Sequence, residues 1–133
     1  MAKNVRVKSP KVREQPPGMW SNAFVFGDQF VIAGMVSTEP DGTVVGGFDE
    51  SEQAMQTFRN IQHMVEAIGA KMDDIVKMTI YLTDMRYRPA MVEARKKFFK
   101  GDFPCAVALG NTTLARAELL VEIDAIGFKG AGG

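Results

Sequence analysis

Two acidic side chains near the carboxyl end of the chain are the first candidates for chemistry. Glu122 and Asp124 lie two residues apart within segment 119–126, in which apolar and polar residues alternate. Because this alternation predicts a β-strand, both carboxylates point to the same strand face. If that face lines a pocket, one carboxylate can hold a water molecule or transfer a proton, and desolvation would raise its pKa. If the face is exposed to solvent, both are ordinary surface charges.

The single cysteine and the single histidine are weak candidates for catalysis or metal binding. Cys105 follows Pro104 at the start of an apolar segment, whereas His63 falls within a predicted helix. A nucleophilic cysteine generally needs a histidine partner, so we interpret Cys105 as a small buried residue whose carbonyl matters more than its sulfur. We interpret His63 as a surface residue of the helix. One cysteine and one histidine are too few ligands for zinc. A carboxylate-only Mg²⁺ site is the alternative, but no DxD or ExxE cluster stands out, so we expect no bound metal.

An aromatic residue and several arginines are candidates for substrate binding. Trp20 follows the turn predicted at Pro16-Pro17-Gly18. It either fills a gap in the packing or forms the aromatic wall of a ligand site. A guanidinium group matches a carboxylate, although a solvated surface position is the simpler interpretation of any one arginine. The arginines considered for an anionic substrate are Arg86, Arg88, Arg95 and Arg116.

Length and composition predict a single globular domain over residues 1–133. The chain is 46% hydrophobic and 24% charged, which is typical of folded globular proteins. Sixteen basic and sixteen acidic residues give a formal net charge of zero, so we expect no nucleic-acid partner. No apolar segment is long enough to span a membrane, and none follows the amino-terminal charges as in a secretory signal. We therefore expect no membrane association and a cytoplasmic location.

The first half of the chain predicts a hairpin followed by a helix. Apolar segments 24–26 and 30–33 flank Gly27-Asp28-Gln29, which is typical of a β-hairpin. Asp49 and Glu52 form a capping pattern at the start of a helix, and Gly69 is placed to end it. The apolar face of this helix is predicted from residues spaced three or four apart: Ala54, Phe58, Ile61, Val65 and Ile68.

The second half predicts a strand at 75–82, a helix from Pro89 to near Gly101, a buried strand at 105–109 and a last strand at 119–126. This order favours an α+β fold with two helices on one face of a mixed sheet. The opposite sheet face contains apolar positions, so we expect a partner subunit to cover it. The glycine-rich segment 130–133 is predicted to fray.

An ordered set of segments resembles the RidA (YjgF-type) family of enamine and imine deaminases. The most recognisable segment is Asp-Ile-Val-Lys-Met-Thr-Ile-Tyr-Leu-Thr-Asp at 74–84. Each segment alone is a weak signal, but together they cover the chain from Gly18 to Phe128. The other matching segments are Gly-Met-Trp-Ser-Asn-Ala at 18–23, Ala-Gly-Met at 33–35, Gln53, Asn60-Ile61, Gly69, Phe103-Pro104 and Val-Glu-Ile-Asp-Ala at 121–125.

The resemblance implies a chorismate-mutase-like fold and a homotrimer whose sheets pack into a central barrel, with a cleft between each pair of subunits. It further implies cofactor-free hydrolytic deamination of a small imine or enamine, including pathway-specific deaminases of the 2-aminomuconate type. In this family pattern Glu122 and the carbonyl of Cys105 orient the attacking water. Trp20 and Val36 would then contact the substrate.

One position departs from the family pattern. The family has an arginine two residues after the proline, where it binds the substrate carboxylate, and this chain has Ala106 there. This departure argues against the family's usual activity on 2-aminoacrylate. Another cation, for which we consider Arg88 at the start of the second helix, would then supply any positive charge that the substrate needs. The alternative is a non-catalytic trimer that binds a small metabolite or a partner protein.

Overall fold

The computed structural model describes residues 3–133. These residues form a six-stranded mixed sheet with two helices on one face. Residues 1 and 2, part of the amino-terminal stretch considered above for a secretory signal, lie outside the described residues. The strands are β1 (Val5–Val7), β2 (Ala23–Phe26), β3 (Gln29–Met35), β4 (Ile75–Leu82), β5 (Cys105–Leu109) and β6 (Val121–Phe128), and the helices are α1 (Glu50–Ile68) and α2 (Arg88–Arg95). Within residues 3–133, neither helix is long and apolar enough to cross a membrane.

The sheet has the strand order β1-β2-β3-β6-β4-β5. Only β4 and β5 pair in parallel, because α2 connects them, and the other neighbours are antiparallel. The last strand in sequence therefore lies at the centre of the sheet. This topology confirms the predicted α+β fold and surrounds β6, which carries Glu122, with strands on both sides.

Helix α1 has the limits that the sequence predicts. The carboxylate of Asp49 accepts a hydrogen bond from the N–H of Glu52 at 2.9 Å, which satisfies one of the free donors of the first turn. Gly69 ends the helix with a φ of 86°, a left-handed conformation that favours glycine. The apolar face packs on the sheet, where Phe58 and Ile61 are fully buried.

Two element predictions need correction. Segment 105–109 forms a strand, but it is not buried in this chain: β5 is an edge strand, and Val107 and Leu109 are 48% and 46% exposed. No further strand of the described residues lies beyond β5 to cover it. Helix α2 ends at Arg95 instead of near Gly101, because the following N–H groups make shorter-range turn bonds, such as that from Phe98 to the carbonyl of Arg95.

The carboxyl-terminal glycines do not fray as predicted. The N–H of Gly132 donates to Asp74 Oδ1 at 2.8 Å, and the Lys71 ammonium group contacts the carbonyl of Gly133. Asp74 is buried, which by itself would raise its pKa, but the backbone donors of Gly132 and Lys71 outweigh burial and hold that pKa below its ordinary value. A buried carboxylate needs such donors, and the tail provides one of them.

No helix or strand within residues 3–133 covers the sheet face opposite the two helices. In β6, Val121 and Ile123 point to the helices and are buried, whereas Glu122 and Asp124 point to the other side. We call this second side the open face. Its exposed apolar side chains are Phe24, Val31, Val107, Leu109 and Phe128.

Candidate functional site

A cavity of about 280 Å³ lies where the end of β3 meets the start of β6. Its volume is close to the lower end of the roughly 300–1,000 Å³ range of small-molecule pockets. The lining comes from the amino-terminal loop at 12–22, from residues 34–38 at and beyond the end of β3, from the loop at 115–119, and from Asn60 and Glu122. Within residues 3–133, no cluster of three or more histidine, cysteine or acidic residues could hold a metal ion.

Glu122 provides the carboxylate of this cavity. On β6 it pairs with Tyr81, and its side chain lies over the backbone of Gly34 on β3. A Cβ atom on Gly34 would lie only 2.7 Å from Cδ and 2.9 Å from Cγ of Glu122, so the absence of a side chain there leaves room for the carboxylate. Burial raises the pKa of Glu122, and the nearby charge of Asp124 raises it further.

Asp124 has a different environment from Glu122. Its Oδ1 accepts a hydrogen bond from the N–H of Thr79 on β4 at 3.1 Å, and it does not line the cavity within the described chain. The structure therefore distinguishes two carboxylates that the strand pattern leaves equivalent. Glu122 lines the cavity that also contains Trp20 and Val36, whereas Asp124 lines a separate depression with Lys77 and Thr79.

Trp20 and Val36 form parts of the cavity wall. Trp20 is 48% exposed, and its backbone carbonyl accepts a hydrogen bond from Arg6 at 3.4 Å. The loop carbonyl of Val36 accepts a bond from the Nδ2 of Asn60 at 2.8 Å, and Asn60 is 1% exposed. Asn60 also donates to the carbonyl of Thr38, so α1 fixes the wall that follows β3.

Two arginines also line the cavity. Arg116 is among the sequence candidates, and its Nη1 donates to the carbonyl of Gly42 at 2.6 Å. Arg13 is not among them, and nothing in the sequence distinguishes it from the other arginines of the chain. The buried Asn22 fixes its backbone, since Asn22 Nδ2 donates to the carbonyl of Arg13 at 2.7 Å. The sequence also gives no sign that Gly34 makes room for Glu122.

The remaining predicted site residues lie elsewhere in the described chain. Cys105 and Ala106 are on the edge strand β5, separated from β6 by β4, and neither lines the cavity. Cys105 pairs with Lys77, faces the open side and is exposed, so the prediction that it is a buried residue is wrong for this chain. Ala106 pairs with Met78 and points to the helix side. Arg88 begins α2 and is exposed.

The three predicted residues Glu122, Trp20 and Val36 thus come together within one chain, whereas Arg88, Cys105 and Ala106 do not join them there. His63 is half-buried on α1 and lies outside the cavity, and burial lowers its pKa. Its Nδ1 has no hydrogen-bond partner within residues 3–133.

Comparisons with known proteins identify the family. The family model described as endoribonuclease L-PSP matches residues 11–128. A RutC family protein of Pyrococcus abyssi is 34% identical over 132 residues, which cover 97% of this chain and 99% of that protein. A 2-iminobutanoate/2-iminopropanoate deaminase of Dermatophagoides farinae is 32% identical over 123 residues, covering 91% of this chain and 94% of that protein.

A solved structure agrees with this assignment. RidA from an Antarctic Psychrobacter bacterium has a TM-score of 0.83 and 26% identity, with 93% of this chain and 98% of that chain covered. The family model spans nearly the whole sheet, from the amino-terminal loop to the last residue of β6. The chain therefore belongs to the endoribonuclease L-PSP family, which includes the RidA and YjgF proteins.

Proposed function

We propose that this protein hydrolyses a small imine or enamine to a carbonyl compound and ammonia, without a cofactor. The observation that carries the proposal is the half-buried carboxylate of Glu122, which faces a cavity of suitable size and whose pKa is raised by burial. Relatives named as 2-iminobutanoate/2-iminopropanoate deaminases support the reaction type.

The reaction needs one group that both accepts and returns a proton. The carboxylate of Glu122 accepts a proton from water while the water oxygen bonds to the carbon of the protonated imine, which gives a neutral carbinolamine. The carboxyl group then returns that proton to the amine nitrogen. The C–N bond breaks and ammonia leaves, while the C=O bond forms and the hydroxyl proton passes to the carboxylate of Glu122. An enamine first becomes the imine by protonation at carbon. A pKa closer to neutrality suits both proton transfers, and Trp20 offers a flat surface for the planar substrate.

We also propose that three copies of the chain assemble through their open faces. The exposed apolar side chains of that face, which include Val107 and Leu109, would be buried there. The cleft between copies that the family resemblance implies would place the edge strand with Cys105 and Ala106 next to the cavity of a second copy.

Sedimentation equilibrium at micromolar concentration tests this assembly. We expect a species of three times the chain mass of 14.6 kDa. Val107→Asp should shift the distribution towards monomer, because it places a charge on the apolar surface that the copies would bury. The control is Arg59→Gln, which changes an exposed residue of α1 on the other side of the sheet and should leave the distribution unchanged. A stable monomer in the unmodified protein would contradict the proposal.

The deaminase activity is tested with imines generated in the assay by an amino acid oxidase acting on 2-aminobutyrate or alanine. We expect the protein to accelerate release of ammonia and the 2-oxo acid beyond the spontaneous hydrolysis, and to compete with trapping of the imine by semicarbazide. Heat-denatured protein is the control. If no imine or enamine substrate, including aminomuconate-type compounds, is hydrolysed faster than in buffer, the catalytic proposal is wrong.

The alternative function is a non-catalytic trimer that binds a small metabolite or protein. Ala106, at the position where the family resemblance expects an arginine, is the observation that favours it. Thermal stabilisation by small ligands without turnover would support binding alone. Although the family model is described as an endoribonuclease, the zero net charge provides no electrostatic basis for RNA binding, and we do not propose RNA cleavage.

A further inference from the structure

The cavity that contains Glu122 also contains two guanidinium groups. Arg13 comes from the amino-terminal loop and Arg116 from the loop that precedes β6. Both approach the backbone of Gly42: Arg116 donates to its carbonyl, and the guanidinium carbon of Arg13 lies 3.0 Å from the position that a Cβ of Gly42 would occupy. Two loops that are distant in sequence therefore bring two positive charges to one side of a small cavity.

The charges of the two arginines are unequally compensated. The Nε of Arg116 lies 3.5 Å from Oε2 of Glu118, which forms a partly exposed ion pair. Within residues 3–133, no carboxylate lies within 4.0 Å of the Arg13 guanidinium. Two neighbouring cations repel each other, and an anion between them relieves that repulsion. The part of the cavity wall formed by these two arginines therefore favours an anionic group.

The backbone of Arg13 is fixed by a buried side chain. The buried Asn22 donates from Nδ2 to the carbonyl of Arg13 at 2.7 Å and to Oε1 of Glu14 at 3.3 Å. Gly42 has a φ of 91°, which favours glycine and allows its backbone to approach the arginine closely. A guanidinium on a fixed backbone loses less freedom when it binds a carboxylate than one on a mobile loop.

We infer that Arg13 and Arg116 form the carboxylate-binding end of this cavity and select substrates that carry a carboxylate next to the C=N group. These two arginines would then supply the positive charge that the family pattern places at position 106, where this chain has alanine. The inference rests on the proposed function for the reaction, with Glu122 acting on the C=N carbon. The binding of the anion itself does not depend on turnover.

Calorimetric titration of the full-length protein with 2-oxobutanoate tests the inference. This compound is the product expected from 2-iminobutanoate, and 2-oxobutanamide is its uncharged analogue. Arg13→Gln and Arg116→Gln should each weaken 2-oxobutanoate binding by at least about tenfold, because each removes a charge-assisted contact. Arg59→Gln, which removes one exposed positive charge from α1, should leave the affinity unchanged. Affinity for 2-oxobutanamide should be low and similar in all four proteins.

Because Arg116 also donates a hydrogen bond to the carbonyl of Gly42, the experiment needs a control for the stability of the Arg116 variants. Arg116→Lys keeps the charge, and it should retain more affinity than Arg116→Gln at an equal melting temperature. The inference is overturned if the unmodified protein shows no saturable binding of 2-oxobutanoate at millimolar concentration, or if both arginine variants bind it as tightly as Arg59→Gln does. Imine turnover that is insensitive to both arginines would also overturn it and would leave the proposed deaminase function standing. Arginine-dependent binding without any turnover would support the inference and contradict the deaminase function.

Discussion

Glu122→Gln is expected to reduce the rate of imine hydrolysis by about 10²–10⁴-fold, the usual contribution of a positioned acid–base group. Glutamine has nearly the same shape but cannot accept a proton from water at neutral pH. Because the change removes a negative charge from the cavity, it should not weaken binding of 2-oxobutanoate. The measurement is kcat/KM for imine hydrolysis together with the calorimetric affinity. Equal rates for the unmodified protein and Glu122→Gln would contradict the assignment of Glu122 as the proton acceptor.

The pH dependence offers a second measure of the same carboxylate. Burial and the charge of Asp124 raise the pKa of Glu122 in the folded protein, so hydrolysis should decline with falling pH below that raised pKa, at a higher pH than an ordinary glutamate would give. Asp124→Asn removes the neighbouring charge and should move this decline to lower pH. A decline at the same pH in both proteins would exclude the contribution of Asp124.

The raised pKa also has a consequence for stability. Since the folded state binds the Glu122 proton more tightly than the unfolded state does, the free energy of unfolding falls as the pH rises from the unfolded pKa through the folded pKa. Glu122→Gln removes the buried charge, so it should raise the melting temperature at neutral pH. The increase should disappear at acid pH, where Glu122 is protonated in both states.

Gln53→Ala is expected to destabilise the protein by about 2–4 kcal/mol, because it leaves several backbone groups without partners. Gln53 is fully buried, and its Nε2 donates to the carbonyls of Gly47 and Glu118 at 2.5 and 2.7 Å. Its Oε1 accepts from the N–H of Leu120 at 2.9 Å. This one side chain therefore ties α1 to the loop that carries Arg116 and leads into Glu122.

The matched control is Gln62→Ala on the same helix. Gln62 is half-buried, and its side chain makes no hydrogen bond within residues 3–133. Because alanine favours helices, this change should alter the free energy of unfolding by no more than about 0.5 kcal/mol. Urea denaturation at one protein concentration, with the m-values compared, measures both variants. Similar losses in the two variants would show that the bonds of Gln53 contribute little.

Local sequence signals account for most of the elements. The 3.6-residue apolar period, Asp49 and Gly69 determine where α1 runs, and alternation determines β4 and β6. These signals succeed because each depends on residues that are neighbours along the chain. The ordered motifs also identified the family, and they predicted that Glu122, Trp20 and Val36 belong to one site.

Other features were decided by the tertiary structure alone. Each of them depends on contacts between segments that are distant in sequence. The exposure of β5 follows from its edge position, and the ordering of the tail follows from the buried carboxylate of Asp74. Glu122 lines the cavity and Asp124 does not, because Glu122 lies over Gly34 whereas Asp124 is bonded to the backbone of Thr79. The convergence of Arg13 and Arg116 depends on the paths of two irregular loops, and such loops have no periodicity from which a sequence can predict where a side chain lies.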